Sequence, residues 1–176
     1  MLEDTLKRLI RDVPDFPKPG VLFKDISGLL ADHEGFSATV DALASTGRGD
    51  GRVVVDKVVG IEARGFLLAA PVALALGAGF VPVRKAGKLP SATYEVTYAL
   101  EYGEETLQLH RDALQSGERV LIVDDVLATG GTMEASIGLI GRTGAEVSAV
   151  AVLIELEFLH GRDRLGRVPL HSLLLA

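Results

Sequence analysis

Hydrophobic positions along this chain change period several times, and each change predicts an element. Leu2, Leu6, Leu9, Ile10 and Val13 recur at helical spacing, which predicts an amphipathic helix over the first dozen residues. Pro14, Pro17 and Pro19 end it and set an irregular segment through Gly20 to Asp25. Phe36, Val40 and Leu43 mark a second helix. The valines at 53–55 and 58–59 predict a strand running to Ile61, with a strand-to-helix loop at 60–65. Phe66 to Leu76 is apolar nearly all round and predicts a buried helix, and Phe80–Val83 predicts a short strand. Beyond a polar tip at Gly87, Lys88, Pro90 and Ser91, the β-prone runs Thr93–Leu100 and Thr106–His110 predict a hairpin or flap.

The later half repeats the alternation. Val120–Val123 predicts a buried parallel strand ended by the adjacent carboxylates Asp124 and Asp125. A helix is predicted over Met133–Arg142, and Val147–Ile154, the most hydrophobic strand candidate, is expected at the centre of the sheet. Val168–Leu175 closes the chain as a strand. Alternating strands and helices predict an α/β fold with a mostly parallel central sheet flanked by helices, in one domain over residues 1–176. In such sheets ligands bind beyond the carboxyl ends of the strands.

Charge and composition narrow the function classes. The net charge of -6 argues against a nucleic-acid or membrane surface, so an anionic substrate has to be met by local cations. No cysteine is present, which excludes disulfides and cysteine-zinc clusters. His33, His110, His160 and His171 lack ligand spacing. The N-terminus starts acidic and amphipathic rather than as a signal peptide, and the apolar stretch from Gly65 to Phe80 is too short to span a bilayer. A cytoplasmic location is the expectation.

Chemistry concentrates where the strands end. The loop Ala128-Thr129-Gly130-Gly131-Thr132 offers backbone N–H groups, two hydroxyls and a helix N-terminus to a phosphate. Asp124 and Asp125 just before it can accept hydrogen bonds from a vicinal diol, so together they suit a ribose 5-phosphate. No lysine follows Gly130-Gly131 as in a triphosphate-binding P-loop, and the glycine spacing is not that of a dinucleotide site. Arg64, Arg84, Lys85 and Lys88 follow two other predicted strands and suit a diphosphate, with forked contacts from arginine and point charges from lysine. The segment Asp15 to Ile26 is a proline-set loop in which Phe23 either fills the core or stacks on a planar heterocycle.

These strings resemble a known family. Asp124–Thr132 resembles the 5-phosphoribosyl 1-diphosphate (PRPP) motif of the type I phosphoribosyltransferases. Asp15–Ile26 is similar to the FPxPGVxFxDI hood of the adenine phosphoribosyltransferases, and Gly60–Phe66 to their diphosphate loop, although Asp is common where Glu62 stands. Arg84–Pro90 resembles their RKxGKLP flap opening, and Tyr98–Gly103 their YxLEYG flap signature. The motifs fall in order from about Pro14 to Leu156.

The resemblance implies a purine-salvage transferase that converts adenine and PRPP to AMP and diphosphate, with Mg²⁺ held mainly by PRPP and water rather than by the protein. It implies a hood at about 14–30 and a flexible flap at about 86–110. Asp124 and Asp125 would hold the ribose hydroxyls, Ala128, Thr129, Gly130, Gly131 and Thr132 the 5-phosphate, and Arg64, Arg84, Lys85 and Lys88 the diphosphate. Phe23 would stack on adenine opposite Leu156, while main-chain groups of Leu22 and Lys24 read the base edge. Glu101 would relay a proton at the imidazole edge, with Tyr102 packing at flap closure. A homodimer is implied as well, and which subunit uses Lys88 stays open. Two alternatives stand beside this reading: transfer to hypoxanthine, guanine or xanthine, and a non-catalytic PRPP-binding regulator.

Overall fold

The computed structural model describes residues 1–100 and 102–176. Contacts gather the chain into two compact units, Met1–Ala42 and Leu43–Ala176. The first unit holds α1 (Leu2–Leu9), β1 (Arg11–Pro14), β2 (Leu22–Asp25), α2 (Ser27–Ala31) and most of α3 (His33–Ser45). α1 carries Glu3 and Asp4 in its first turn and Lys7 and Arg8 in its last, which complements the helix dipole at both ends.

The proline-rich segment, expected to be irregular, is the loop of an antiparallel ribbon. β1 pairs with β2 from Arg11↔Asp25 to Pro14↔Leu22. The prolines permit this because Pro14 ends its strand and the other two lie in the loop. That loop is closed by the Gly20 N–H donating to the Asp15 carboxylate at 2.8 Å. It also needs Gly20 at φ +85°, which a side chain would resist. α2 was absent from the hydrophobic pattern, being too short to show a period.

In the second unit the strand expected over 53–61 divides. β3 (Arg48–Gly49) and β4 (Arg52–Val53) form a separate small hairpin, and β5 (Lys57–Ile61) begins after it. Then follow α4 (Arg64–Leu76), β6 (Gly79–Lys85), β7 (Thr93–Ala99), β8 (Glu104–His110), β9 (Arg119–Leu127), α5 (Gly131–Arg142), β10 (Glu146–Glu155) and β11 (Leu170–Leu175). Seven strands make one sheet in the order β11-β10-β9-β5-β6-β8-β7. The first five in that order are parallel, whereas β8 runs antiparallel to β6 and β7 antiparallel to β8.

Two expectations are corrected by this order. β10 lies one strand from the edge and β5 takes the centre. The apolarity of β10 reflects burial on both faces, not a central position. α4 is not buried all round: Leu67 and Leu74 are 49% and 83% exposed, because the helix covers the sheet with one side only. The core, including Val59, Ile61, Ile122, Leu127, Met133 and Leu139, anchors the sheet and α5 together. Each such side chain contributes about 1.5–3 kcal/mol by leaving water, so the carboxyl ends of β5 and β9 are held on a rigid base. Among the described residues no helix is long and apolar enough to cross a membrane.

Candidate active site at the carboxyl ends of the parallel strands

One cavity of about 240 Å³ opens at these strand ends, lined by residues 61–64 and 124–133. β9 does not stop at the two acids. Its ladder with β10 continues through Val152↔Asp124, Ile154↔Val126 and Glu155↔Leu127, so the carboxylates lie within the strand, followed by two more of its residues. The chain then turns, and Gly130 at φ 86° caps α5 without any side-chain hydrogen bond. The first N–H groups of α5 are thus open to an anion.

The loop is braced from behind. A Cβ on Gly130 would collide with the Gly161 carbonyl oxygen, and one on Gly161 with that of Ala128. Two glycines therefore let two stretches of backbone touch. Gly161 starts the short 3-10 helix Gly161–Leu165, in which Gly161 and Leu165 are buried and the charged residues between them are exposed. Arg162 in that turn donates twice to the buried Glu155, at 2.9 and 2.6 Å, and Ser172 donates to the same carboxylate. Arg162 thereby holds the Glu155 carboxyl below its usual range, against the opposing effect of burial.

Acids and cations meet across the cavity. Arg64 Nε lies 2.7 Å from Asp125 Oδ2. Asp124 accepts from the Asp125 N–H at 2.9 Å and sits so close to Gly65 that a Cβ there would come within 2.5 Å of Oδ1. Burial first, and then the charge of Asp125, push the Asp124 carboxyl well above the usual range. Glu62 receives both Arg84 Nε at 2.8 Å and Lys88 Nζ at 2.7 Å, with its side chain only 5% exposed. Burial raises the Glu62 pKa, but the hydrogen bonds from Lys88 and Arg84 outweigh it and hold the carboxylate ionised. Lys85 turns instead to Glu105 on β8, at 2.7 Å.

In the first unit, Phe23 packs edge-on against Phe16 with ring centroids 5.0 Å apart. Val13, Phe16, Phe23 and Asp25 line an apolar groove of about 230 Å³. Lys24 Nζ pairs with Asp12 at 2.7 Å, and Leu22 is half exposed.

Residues 28–165 match the phosphoribosyl transferase domain family. The adenine phosphoribosyltransferase of a Nocardioides species is 67% identical over 167 residues, covering 94% of this chain and 90% of that protein. The chain belongs to the adenine phosphoribosyltransferase family. The crystal structure of the family member from Rhodothermus marinus superposes with a TM-score of 0.92 at 50% identity, covering 99% of this chain and 98% of that one. The Saccharomyces cerevisiae member, solved with an imino-altritol bisphosphate and adenine, gives a TM-score of 0.93 at 38% identity, with 98% of each chain covered. The seven-stranded mixed sheet is thus the phosphoribosyltransferase fold.

The family motifs distribute over the structure unevenly. Arg64, Asp124, Asp125 and Ala128–Thr132 line one cavity. Arg84 and Lys88 reach it through Glu62, a lining residue, whereas Lys85 is drawn to the hairpin β7–β8. Tyr102 stands 75% exposed at the hairpin turn, and Glu101 lies outside the described residues. Leu156 follows β10, its N–H donating to the Leu127 carbonyl at 2.9 Å. Sequence reasoning missed Gly161, Arg162 and Glu155 as the brace of the phosphate loop. It also missed Glu62 as the counter-ion of two cations. The departure from the common Asp at Glu62 was the one signal in the sequence.

Proposed function

We propose that this chain transfers the 5-phosphoribosyl group of PRPP to N9 of adenine, forming AMP and diphosphate. The observation that carries the proposal is a single cavity holding an acid pair, an open helix N-terminus and Arg64, with Arg84 and Lys88 gathered on its rim residue Glu62. Asp124 and Asp125 accept from the ribose 2- and 3-hydroxyls. Ala128–Thr132 takes the 5-phosphate by backbone N–H groups and the threonine hydroxyls. Arg64, Arg84, Lys85 and Lys88 serve the diphosphate.

The charges of the cavity suit the reaction. As the C1–O bond breaks, its electron pair leaves on diphosphate and positive charge grows on the ribose ring. A pair of carboxylates of which one is already destabilised as an anion gains from a cation placed above it, so Asp124 and Asp125 favour this state over the ground state. N9 of adenine then forms the new bond from the opposite face, with inversion, and Glu101 accepts the N9 proton. Tyr102 packs over the closed site, which keeps water from the ribosyl cation.

Phe23 offers its ring to adenine, and Leu156 an apolar side chain. Pro14, without an N–H, stands opposite Leu22 in the ribbon. The family resemblance assigns reading of the base edge to main-chain groups of Leu22 and Lys24, both on β2. Among the described residues no cluster of three or more metal-ligating side chains occurs. A Mg²⁺ carried in by PRPP would be held mainly by PRPP and water, beside the hard carboxylate oxygens of Asp124 and Asp125 that line the cavity. Such an ion would supply positive charge to the leaving diphosphate. The reading includes a cytoplasmic homodimer, for which Leu67 and Leu74, exposed on α4, supply an apolar strip.

The test is a spectrophotometric assay of each purine base with PRPP and Mg²⁺. AMP formation from adenine alone is expected. Turnover of guanine, hypoxanthine or xanthine in place of adenine assigns another base, and PRPP binding without turnover of any base makes the chain a regulator.

A further inference from the structure

We infer that Tyr98 is a positioning residue that ties the hairpin β7–β8 to the phosphate loop while that loop is empty, and that an arriving 5-phosphate loosens the tie. The inference rests on the reading of residues 128–132 as the 5-phosphate site.

Four side chains form a continuous path between the two ends of the PRPP site. Lys85 Nζ lies 2.7 Å from Glu105 Oε1, and the Tyr98 hydroxyl donates to Glu105 Oε2 at 3.3 Å. The same hydroxyl lies 2.8 Å from the Thr132 hydroxyl, at the start of α5. Tyr98 and Glu105 are register partners in the hairpin, and the Tyr98 ring lies over Gly131, whose added Cβ would meet it at 3.3 Å. The base of the hairpin is held elsewhere: Arg142 donates to the Glu95 carbonyl at 2.8 Å, and Tyr94 is flanked by Arg111 and Arg142. Tyr98 and Glu105 belong to its far half.

Proton accounting gives the path a direction. A carboxylate only accepts, and each hydroxyl has a single proton. Tyr98 spends its proton on Glu105, so Thr132 must donate to Tyr98. A phosphate oxygen is a stronger, charged acceptor and turns the Thr132 proton toward itself. Tyr98 then either loses its bond to Thr132 or turns its own proton to Thr132 and loses Glu105. In both cases the far half of the hairpin is held by one bond fewer, at the moment when the flap has to close over PRPP.

Hydrogen exchange of the full chain, with and without saturating ribose 5-phosphate, tests this. In the unsubstituted protein, ribose 5-phosphate is expected to speed amide exchange in the hairpin about two- to tenfold, the worth of one neutral hydrogen bond. Tyr98→Phe keeps the ring on Gly131; its hairpin is expected to exchange at the faster level already and to show no further change. It should also bind ribose 5-phosphate about two- to tenfold more tightly, since nothing competes for the Thr132 hydroxyl. Thr132→Ser should behave as the parent, and Thr132→Val should free the empty hairpin even where Tyr98→Phe fails to fold. Equal responses of parent and Tyr98→Phe, or weaker binding by the variant, overturn the tie alone. Absence of ribose 5-phosphate binding to either protein overturns the reading beneath it as well.

Discussion

The loop at residues 128–132, proposed for the 5-phosphate, and the cations Arg64, Arg84, Lys85 and Lys88, proposed for the diphosphate, are built from opposite materials. Residues 128–132 present backbone, shaped by Gly130 at φ 86° and pressed against Gly161. Their backbone N–H groups are fixed by the fold, and of their two hydroxyls that of Thr132 is bonded to Tyr98. The diphosphate cluster presents side-chain charge, and each of its cations is matched by a carboxylate: Arg64 by Asp125, Arg84 and Lys88 by Glu62, Lys85 by Glu105. A backbone site is ready but unforgiving of altered packing. A side-chain site tolerates change but binds by exchanging one ion pair for another.

The sharpest way to break that contrast is at the brace. Gly161→Ala forces a Cβ toward the Ala128 carbonyl and shifts the loop by backbone movement. We expect kcat/KM for PRPP to fall about a hundredfold, close to 3 kcal/mol. A fall of less than threefold in steady-state assays means the loop adapts and the contrast is wrong.

A smaller effect of opposite sign is expected in the side-chain region. Glu62→Gln removes the carboxylate that diphosphate has to displace from Arg84 and Lys88. These two cations are 33% and 49% exposed, so screening limits the gain. Diphosphate should bind about fivefold more tightly, near 1 kcal/mol, with a steeper salt dependence because no internal ion pair is given up. Weaker product inhibition by diphosphate in this variant instead makes Glu62 an aligning group rather than a competitor.

Asp124 stands between the regions and gives the smallest effect. Its folded-state pKa is raised by burial and by Asp125. Such a carboxyl contributes stability that is complete below its unfolded pKa of about 3.9 and is lost as pH rises through the folded value. Asp124→Asn, a mimic of the protonated form, should therefore raise the thermal midpoint at pH 8 by about 2–4 °C, with the gain vanishing near pH 4. An unchanged midpoint at pH 8 removes the claim that the empty site holds a destabilised anion.

Legibility in the sequence followed range. Asp124 to Thr132 was readable because strand, acids, glycines and helix start are contiguous, and local backbone geometry decides what they present. The hairpin was readable for the same reason, as two β-prone runs close in sequence. Glu62 with Arg84 and Lys88, 22 and 26 positions apart, was not, since hydrophobic periodicity does not report which charges converge. The same holds for Tyr98 with Thr132, 34 positions apart. Gly161 failed for a further reason: a glycine among arginines and aspartates looks like a turn until another backbone is found against it.

By itself, then, the sequence determined the alternation of strands and helices, the glycine-rich loop that opens α5 and the family to which the chain belongs. These follow from contiguous patterns and from local backbone preference. Only the tertiary structure decided that β5 rather than β10 is central, that the acids sit within β9, and that Arg64, Arg84, Lys85 and Lys88 each have an internal carboxylate partner. Strand order and ion pairing depend on which distant segments share a core and an edge, and short-range pattern carries no record of that choice.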